Sequence, residues 1–287
     1  MSLRFLIIEG NTREVREGYR AGQGVTPAEG YGNVMAGLAG EAHYDILHAT
    51  DADAALPAGT GFTDYDAAII TGSALHLWQR APEALRQIEV ARAIYRAGIP
   101  FFGSCWGLQV AAVAAGGDVQ RNPRGREVGF ARKITRNAAG QSHPLLDGRP
   151  DVFDAPCSHL DEVAVPPPGA TILASNAVSY VQAAEFRFEG GSFWGVQYHP
   201  EYTLADLAFL IDRRMATLIE EGFFADEAGK SAYVEDLRAL AGQPGARHLC
   251  WRHGLGPDVT DPHLRVTELR NFIESRVKPF AYARQAA

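Results

Sequence analysis

The sequence predicts an α/β fold, a parallel sheet covered by helices on both faces, and three observations carry that expectation. Short apolar runs bounded by turn residues recur early in the chain, as central strands buried on both faces require. Between two of them lies a long segment with apolar residues at helical spacing. Strand-like and helix-like segments then alternate, the pattern of strands joined by helical crossovers.

Residues 3–8 are the first strand, and residues 44–47 and 67–70 follow, the last closed by Thr71-Gly72-Ser73. A helix is expected over 27–39. Over 83–96, Leu85, Ile88, Ala91 and Tyr95 share one helical face, and Gly98 supplies the stop. Residues 99–102 form the next strand and 106–115 the next helix. After Gly116-Gly117 the texture changes to short strand-like segments at 127–134, 170–174, 182–188 and 193–197. Gly190-Gly191 makes a turn among them, and Pro166-Pro167-Pro168 marks a loop. A helical pattern returns over 204–221. The chain is therefore expected to comprise a main domain over 1–221 and a helical C-terminal extension over 222–287 packed on it, clearest at 266–277.

With 287 residues, 46% hydrophobic and 21% charged, the chain has the composition of an ordered globular protein. A formal charge of −7 leaves no electrostatic footprint for nucleic acid or an anionic membrane. Three scattered cysteines, Cys105, Cys157 and Cys250, are not a disulfide framework. The chain opens on an apolar strand with no basic leader region, so the expectation is a cytoplasmic protein. Residues 98–117 carry no charge and are long enough for a membrane span, but Pro100, Gly103 and Gly107 interrupt them. A buried strand turning sharply into a buried helix explains that run better.

That turn, Gly103-Ser104-Cys105-Trp106-Gly107, carries the chemistry. A reactive residue between two glycines, after a strand and before a helix, is the cysteine form of the nucleophile elbow. The glycines relieve crowding in a tight turn, and the helix N-terminus favours negative charge on the sulfur. The backbone N–H of Trp106 is placed to stabilise an oxyanion. A buried structural cysteine is the competing reading, and the elbow context argues against it. Further on, His199-Pro200-Glu201 ends a strand. A cysteine nucleophile needs a base, and the base needs a partner for its other ring nitrogen; His199 and Glu201 fit those roles.

Taken in order, the two segments resemble the signatures of class I, triad-type glutamine amidotransferases, most closely the stand-alone members related to the amidotransferase domain of GMP synthetase. The resemblance covers roughly residues 3–210. It implies a flavodoxin-like doubly wound, mostly parallel sheet, a Cys105–His199–Glu201 triad and a γ-glutamyl thioester. It also implies that Gly72 completes the oxyanion hole with Trp106, and that Gln109, Glu127, Gly129 and His159 lie at the substrate. Leu108 stands where biosynthetic members often carry His, and Trp106 is bulkier than the common residue; both bear on the pocket and the ammonia exit.

Three functional readings follow. The first is a glutaminase that releases glutamate and passes ammonia to a separate synthetase. The second keeps the chemistry in a stand-alone γ-glutamyl amide or peptide hydrolase. The third is a non-catalytic stress-response or binding protein sharing the elbow, which the His199-Pro200-Glu201 segment opposes. No phosphate loop, dinucleotide fingerprint or pyrophosphatase loop is present, so no cofactor is called for and complete GMP synthesis by this chain is not expected. His248, Cys250 and His253 lack a fourth convergent ligand and are not read as a metal site. Asp51 and Asp53 read as a solvated acidic loop, and His76 and Trp78 as residues covering the sheet edge or lining a pocket.

Overall fold

Alternate residues of the first strand, β1 (Leu3–Ile8), face opposite ways, and both sets are buried. Leu3, Phe5 and Ile7 join one apolar cluster, while Leu6 and Ile8 join a second on the other face. The computed structural model describes residues 2–286, the side chain of residue 215 excepted. In it β1 pairs in parallel with β2 (Ala42–Leu47) on one side and β3 (Ala67–Ile70) on the other. The sheet continues in parallel through β4 (Phe101–Ser104) to β11 (Gly191–Val196). The strand order of this half, β2-β1-β3-β4-β11, is the flavodoxin-like order. Beyond it β10 (Ala183–Phe188), β9 (Thr171–Ser175), β6 (Glu127–Arg136) and β7 (Val152–His159) extend the sheet antiparallel to nine strands. A separate ribbon pairs β5 (Asp118–Arg121) with β8 (Asp161–Val165).

Helices cover both faces. α1 (Arg13–Gln23) and α2 (Pro27–Ala39) both lie between β1 and β2 in sequence. α2 starts where the sequence dictates: Thr26 and Glu29 form a reciprocal capping box and Pro27 opens the first turn. Its Tyr31 and Met35 pack on the odd face of β1. The even face is covered by α3 (Pro82–Ala97), which ends on Gly98 at φ 69°, and α4 (Trp106–Ala114). No helix among the described residues is long and apolar enough to cross a membrane.

Several elements differ from expectation. α1 was not foreseen, because among its eleven residues, REVREGYRAGQ, Val15 and Tyr19 are the only large apolar side chains. β7 was missed because Asp154 and Pro156 break its apolar pattern; as the last strand of the sheet it tolerates a proline. The helix expected over 204–221 breaks at Arg214 (φ −100°, ψ 24°) into Leu204–Arg213 and Met215–Glu220. Asp51 is not a free solvated carboxylate: Arg16 and Arg13 bind it at 2.6 and 3.1 Å and hold its carboxyl well below the usual range.

The C-terminal segment is tied into the centre. Val266, Leu269, Phe272, Ile273 and Val277 belong to the same apolar cluster as β1 and α2. Glu268, fully buried, takes both Nε and Nη2 of Arg149 at 2.8 Å and the hydroxyl of Tyr198 at 2.8 Å. Glu268→Ala leaves a buried guanidinium without its counter-charge, and urea denaturation should register a loss of about 3–5 kcal/mol. A loss under about 1 kcal/mol would show that the pair is not a structural tie.

Candidate active site

The carboxyl ends of β1, β3, β4 and β11 meet around the switch in strand order, where open α/β sheets bind ligands. Cys105 follows β4 with φ 53° and ψ −103°, a conformation that L residues seldom adopt. The surrounding backbone holds it there. Its N–H donates to the carbonyl of Val196 at 2.8 Å. A Cβ on Gly103 would sit 2.7 Å from the backbone of Gly107, and one on Gly107 would sit 2.4 Å from the carbonyl oxygen of Ile70. Both elbow glycines are therefore steric necessities. Cys105 is buried, with Sγ 3.8 Å from the carbonyl oxygen of Ser158.

His199 and Glu201 reach the same point from the end of β11. The His199 N–H donates to the carbonyl of Pro156, fixing the backbone, and Nδ1 meets Glu201 Oε1 at 2.6 Å. Pairing Nδ1 with a carboxylate leaves Nε2 for Cys105, whose proximity also favours charge on the ring. One face of the ring stacks flat on Tyr202, centroids 3.9 Å apart, and the edge lies against Gly72, where a Cβ would come 2.7 Å from Cε1. Burial disfavours charge on His199. The Glu201 carboxylate and the hydrogen bonds to Cys105 and Glu201 outweigh that and push its pKa up to about 10.

The side chains bracing this group were invisible in the sequence. Ser104 donates to Glu201 Oε2 at 2.9 Å, and the Tyr31 hydroxyl lies 2.8 Å from Ser104 Oγ. Because the Ser104 proton is committed to the carboxylate, Tyr31 is the donor in its own bond. A buried chain thus runs Tyr31–Ser104–Glu201–His199. On the other side, Glu9 accepts from the N–H and Nδ2 of Asn11, whose Nδ2 also donates to the carbonyl of Gly72 at 3.0 Å. The Gly72 loop is braced by these contacts. The Trp106 N–H, in the first turn of α4, has no intrahelical acceptor.

The other sequence candidates fall into a second layer. Gln109 Nε2 donates to the carbonyl of Asp161 and to Gln197 Oε1, and His159 bonds Glu127 Oε2 at 2.9 Å. Glu127 also takes Asn176 and Gln182. Gly129 pairs with Cys157 across β6 and β7 at φ 86°. None of Gln109, Glu127, Gly129 and His159 lines the cavity of about 270 Å³ beside Cys105. That cavity is walled by α1, α2 and the helix Leu204–Arg213, with Tyr19, Tyr31, Val34, Tyr202 and Leu210 among its lining. The Trp106 indole and Leu108 face the core instead, the indole bonded to Gln87 Oε1 at 2.7 Å, so neither shapes the pocket. His76 and Trp78 both bind the Asp161 carboxylate. His253 pairs with Asp236, and Cys250 Sγ contacts the carbonyl of Pro244.

Residues 46–212 match the family model described as glutamine amidotransferase class-I. The chain belongs to that family. Its expected character as a cysteine-dependent enzyme acting on glutamine-type amides is met. Over 97% of its length it is 32% identical to a γ-glutamyl-L-1-hydroxyisopropylamide hydrolase from a Pseudomonas species, covering 95% of that protein. It is 38% identical to the GMP synthase of Leifsonia xyli, but over only 38% of this chain and 21% of the synthase. A glutamine amidotransferase from Thermotoga maritima has the same fold, with a TM-score of 0.59, 17% identity and coverage of 96% of this chain and 98% of that one.

Two tests address the geometry. The raised pKa of His199 means the fold favours its charged form, so this stabilisation is complete below its ordinary pKa of 6.5 and is lost as pH rises through about 10. Thermal melts should show the advantage of wild type over His199→Gln shrinking between those limits; a constant advantage argues against a cationic ring. Removing the Ser104 hydroxyl should lower kcat about tenfold or more with KM held, and Tyr31→Phe should cost less, in steady-state assays. Unchanged kcat in both would show that the chain does not hold Glu201.

Proposed function

We propose that this protein is a stand-alone hydrolase of γ-glutamyl amides. With its proton already resting on His199 Nε2, Cys105 attacks the amide carbon as the thiolate, while the N–H groups of Gly72 and Trp106 receive the oxyanion. Collapse of the tetrahedral adduct breaks the C–N bond, His199 returns the proton to the leaving amine, and a γ-glutamyl thioester remains. Water, deprotonated by the same histidine, attacks the thioester and releases glutamate and the thiol. Glu201 keeps the Nδ1 proton in place and stabilises the imidazolium.

The observation that carries this reading is the cavity. About 270 Å³ opens directly on Cys105, His199 and Glu201. Ammonia needs no more than the room of one water, about 10–15 Å³ counted the same way, so there is room for a glutamyl arm and an organic amine together. The near full-length likeness to a γ-glutamyl amide hydrolase supports the same substrate class. A second reading, delivery of ammonia to a separate synthetase, draws on the GMP synthase likeness, which spans about a fifth of that longer protein.

Purified protein alone, given L-glutamine and a set of γ-glutamyl alkylamides, should turn over the alkylamides with kcat/KM at least tenfold above glutamine. Cys105→Ala should abolish turnover of both. His199→Ala should cost several powers of ten, and Glu201→Gln less. Glutamine turnover alone, weak and dependent on Cys105, would favour the ammonia-delivering reading, and undiminished activity in Cys105→Ala would falsify both.

A further inference from the structure

An oxyanion hole works only if its donors already point at the oxygen, so whatever aims the Gly72 loop bears on the rate. Thr71 donates its N–H to the carbonyl of Ile8 at 3.1 Å, and Ala74 donates to Asn11 Oδ1 at 3.2 Å. Between them, the N–H groups of Gly72 and Ser73 donate to no acceptor among the described residues. Gly72 lies against the edge of the His199 ring and lines the same cavity as Cys105. A glycine permits that close approach but sets no backbone conformation of its own. Its direction comes from outside: Asn11 Nδ2 donates to the Gly72 carbonyl at 3.0 Å, and the Thr71 hydroxyl lies 3.1 Å from the same oxygen.

Asn11 has a single setting in this arrangement. Its side-chain nitrogen serves the Gly72 carbonyl and Glu9 Oε1, the latter at 2.9 Å, and its oxygen takes Ala74. Its main chain is fixed as well, the N–H by Glu9 Oε1 at 3.0 Å and the carbonyl by the Thr50 hydroxyl at 3.0 Å. Although Asn11 lines the cavity, no side-chain donor is left for a ligand. Glu9 is wholly buried and makes no ion pair among the described residues. Its second oxygen accepts from the N–H of Ala28 at 2.9 Å, in the first turn of α2, where negative charge is favoured. The backbone N–H groups of Asn11 and Ala28 can only donate, so both oxygens at residue 9 must accept. A carboxylate meets that demand and an amide does not. The start of α2 is thereby pinned to the Gly72 loop, while Tyr31 ties the same helix to Ser104 and Glu201.

Resting on the thioester mechanism given above, we propose that Glu9 and Asn11 are positioning residues that aim the Gly72 N–H at the oxyanion, with α2 as their anchor. Alkylation by iodoacetamide separates this role from support of the fold or the nucleophile. The Cys105 sulfur forms a bond to the methylene carbon, iodide leaves, and no oxyanion develops. Asn11→Ala should lower kcat about 30-fold with KM within about twofold. Its rate of Cys105 alkylation, followed by peptide mass spectrometry, should stay within about twofold of wild type. Glu9→Gln, which exchanges one oxygen for an amino group, should lower kcat about tenfold in the same pattern. It also covers the case in which Asn11→Ala fails to fold, which thermal melts report. The substrate is L-glutamine or a γ-glutamyl alkylamide, whichever wild type turns over faster, because both pass through the same oxyanion. Unchanged kcat in the folded variants would overturn the assignment. So would parallel falls in kcat and alkylation rate, since the pair would then be supporting the nucleophile. Full turnover by Cys105→Ala would remove the thioester mechanism and the assignment with it, whereas a wild-type preference for glutamine would count against the stand-alone reading alone.

Discussion

Cys105 occupies a backbone conformation that costs a non-glycine residue about 1–3 kcal/mol, and much of the parallel half of the sheet is arranged to hold it there. The strand before it brings Gly103 against Gly107, the strand beyond it supplies the Val196 carbonyl, and Ile70 presses on Gly107 from the other side. Even Gly10 at the end of β1 belongs to this packing, since a Cβ there would come 3.0 Å from both the Trp106 ring and the Gly72 carbonyl oxygen. Four strand ends thus converge on one strained residue. The strain aims the sulfur away from the sheet and frees the first N–H groups of α4.

The histidine is constrained as tightly as the cysteine. A carboxylate fixes one nitrogen, a tyrosine ring lies on one face, and a glycine with no side chain allows close approach at the edge. The carboxylate is in turn held by Ser104, the residue beside the nucleophile, so the two arms of the site share a hydrogen bond. Glu268 adds a link from the far end of the chain through Tyr198, the neighbour of His199. Packing of the last fifty residues is therefore felt within one residue of the base.

What could be read from the sequence divides along physical lines. The strands β1, β3 and β11 and the helix α3 announce themselves by local periodicity, and the elbow glycines by the crowding they relieve. Cys105, His199 and Glu201 sit in short motifs whose chemistry is local, and they were legible for that reason. Tyr31, Ser104 and Glu9 act through contacts with residues distant in the chain, Glu9 by accepting from the N–H of Ala28, and nothing in their immediate neighbours marks them. The mainly polar helix α1 and the proline-bearing edge strand β7 escaped because their packing partners, rather than their own patterns, stabilise them.

The chemistry stands on strand ends, whereas the cavity walls come largely from α1 and α2, a stretch of about thirty residues inserted between β1 and β2. Their hydrogen-bonded link to the triad is indirect: the Tyr31 hydroxyl bonds Ser104, which holds Glu201. Selection acting on their exposed and cavity-facing positions can change which amine is accepted while the apparatus that cleaves the bond stays intact. The same partition gives an experimenter a compact cassette to randomise when a new amine is wanted.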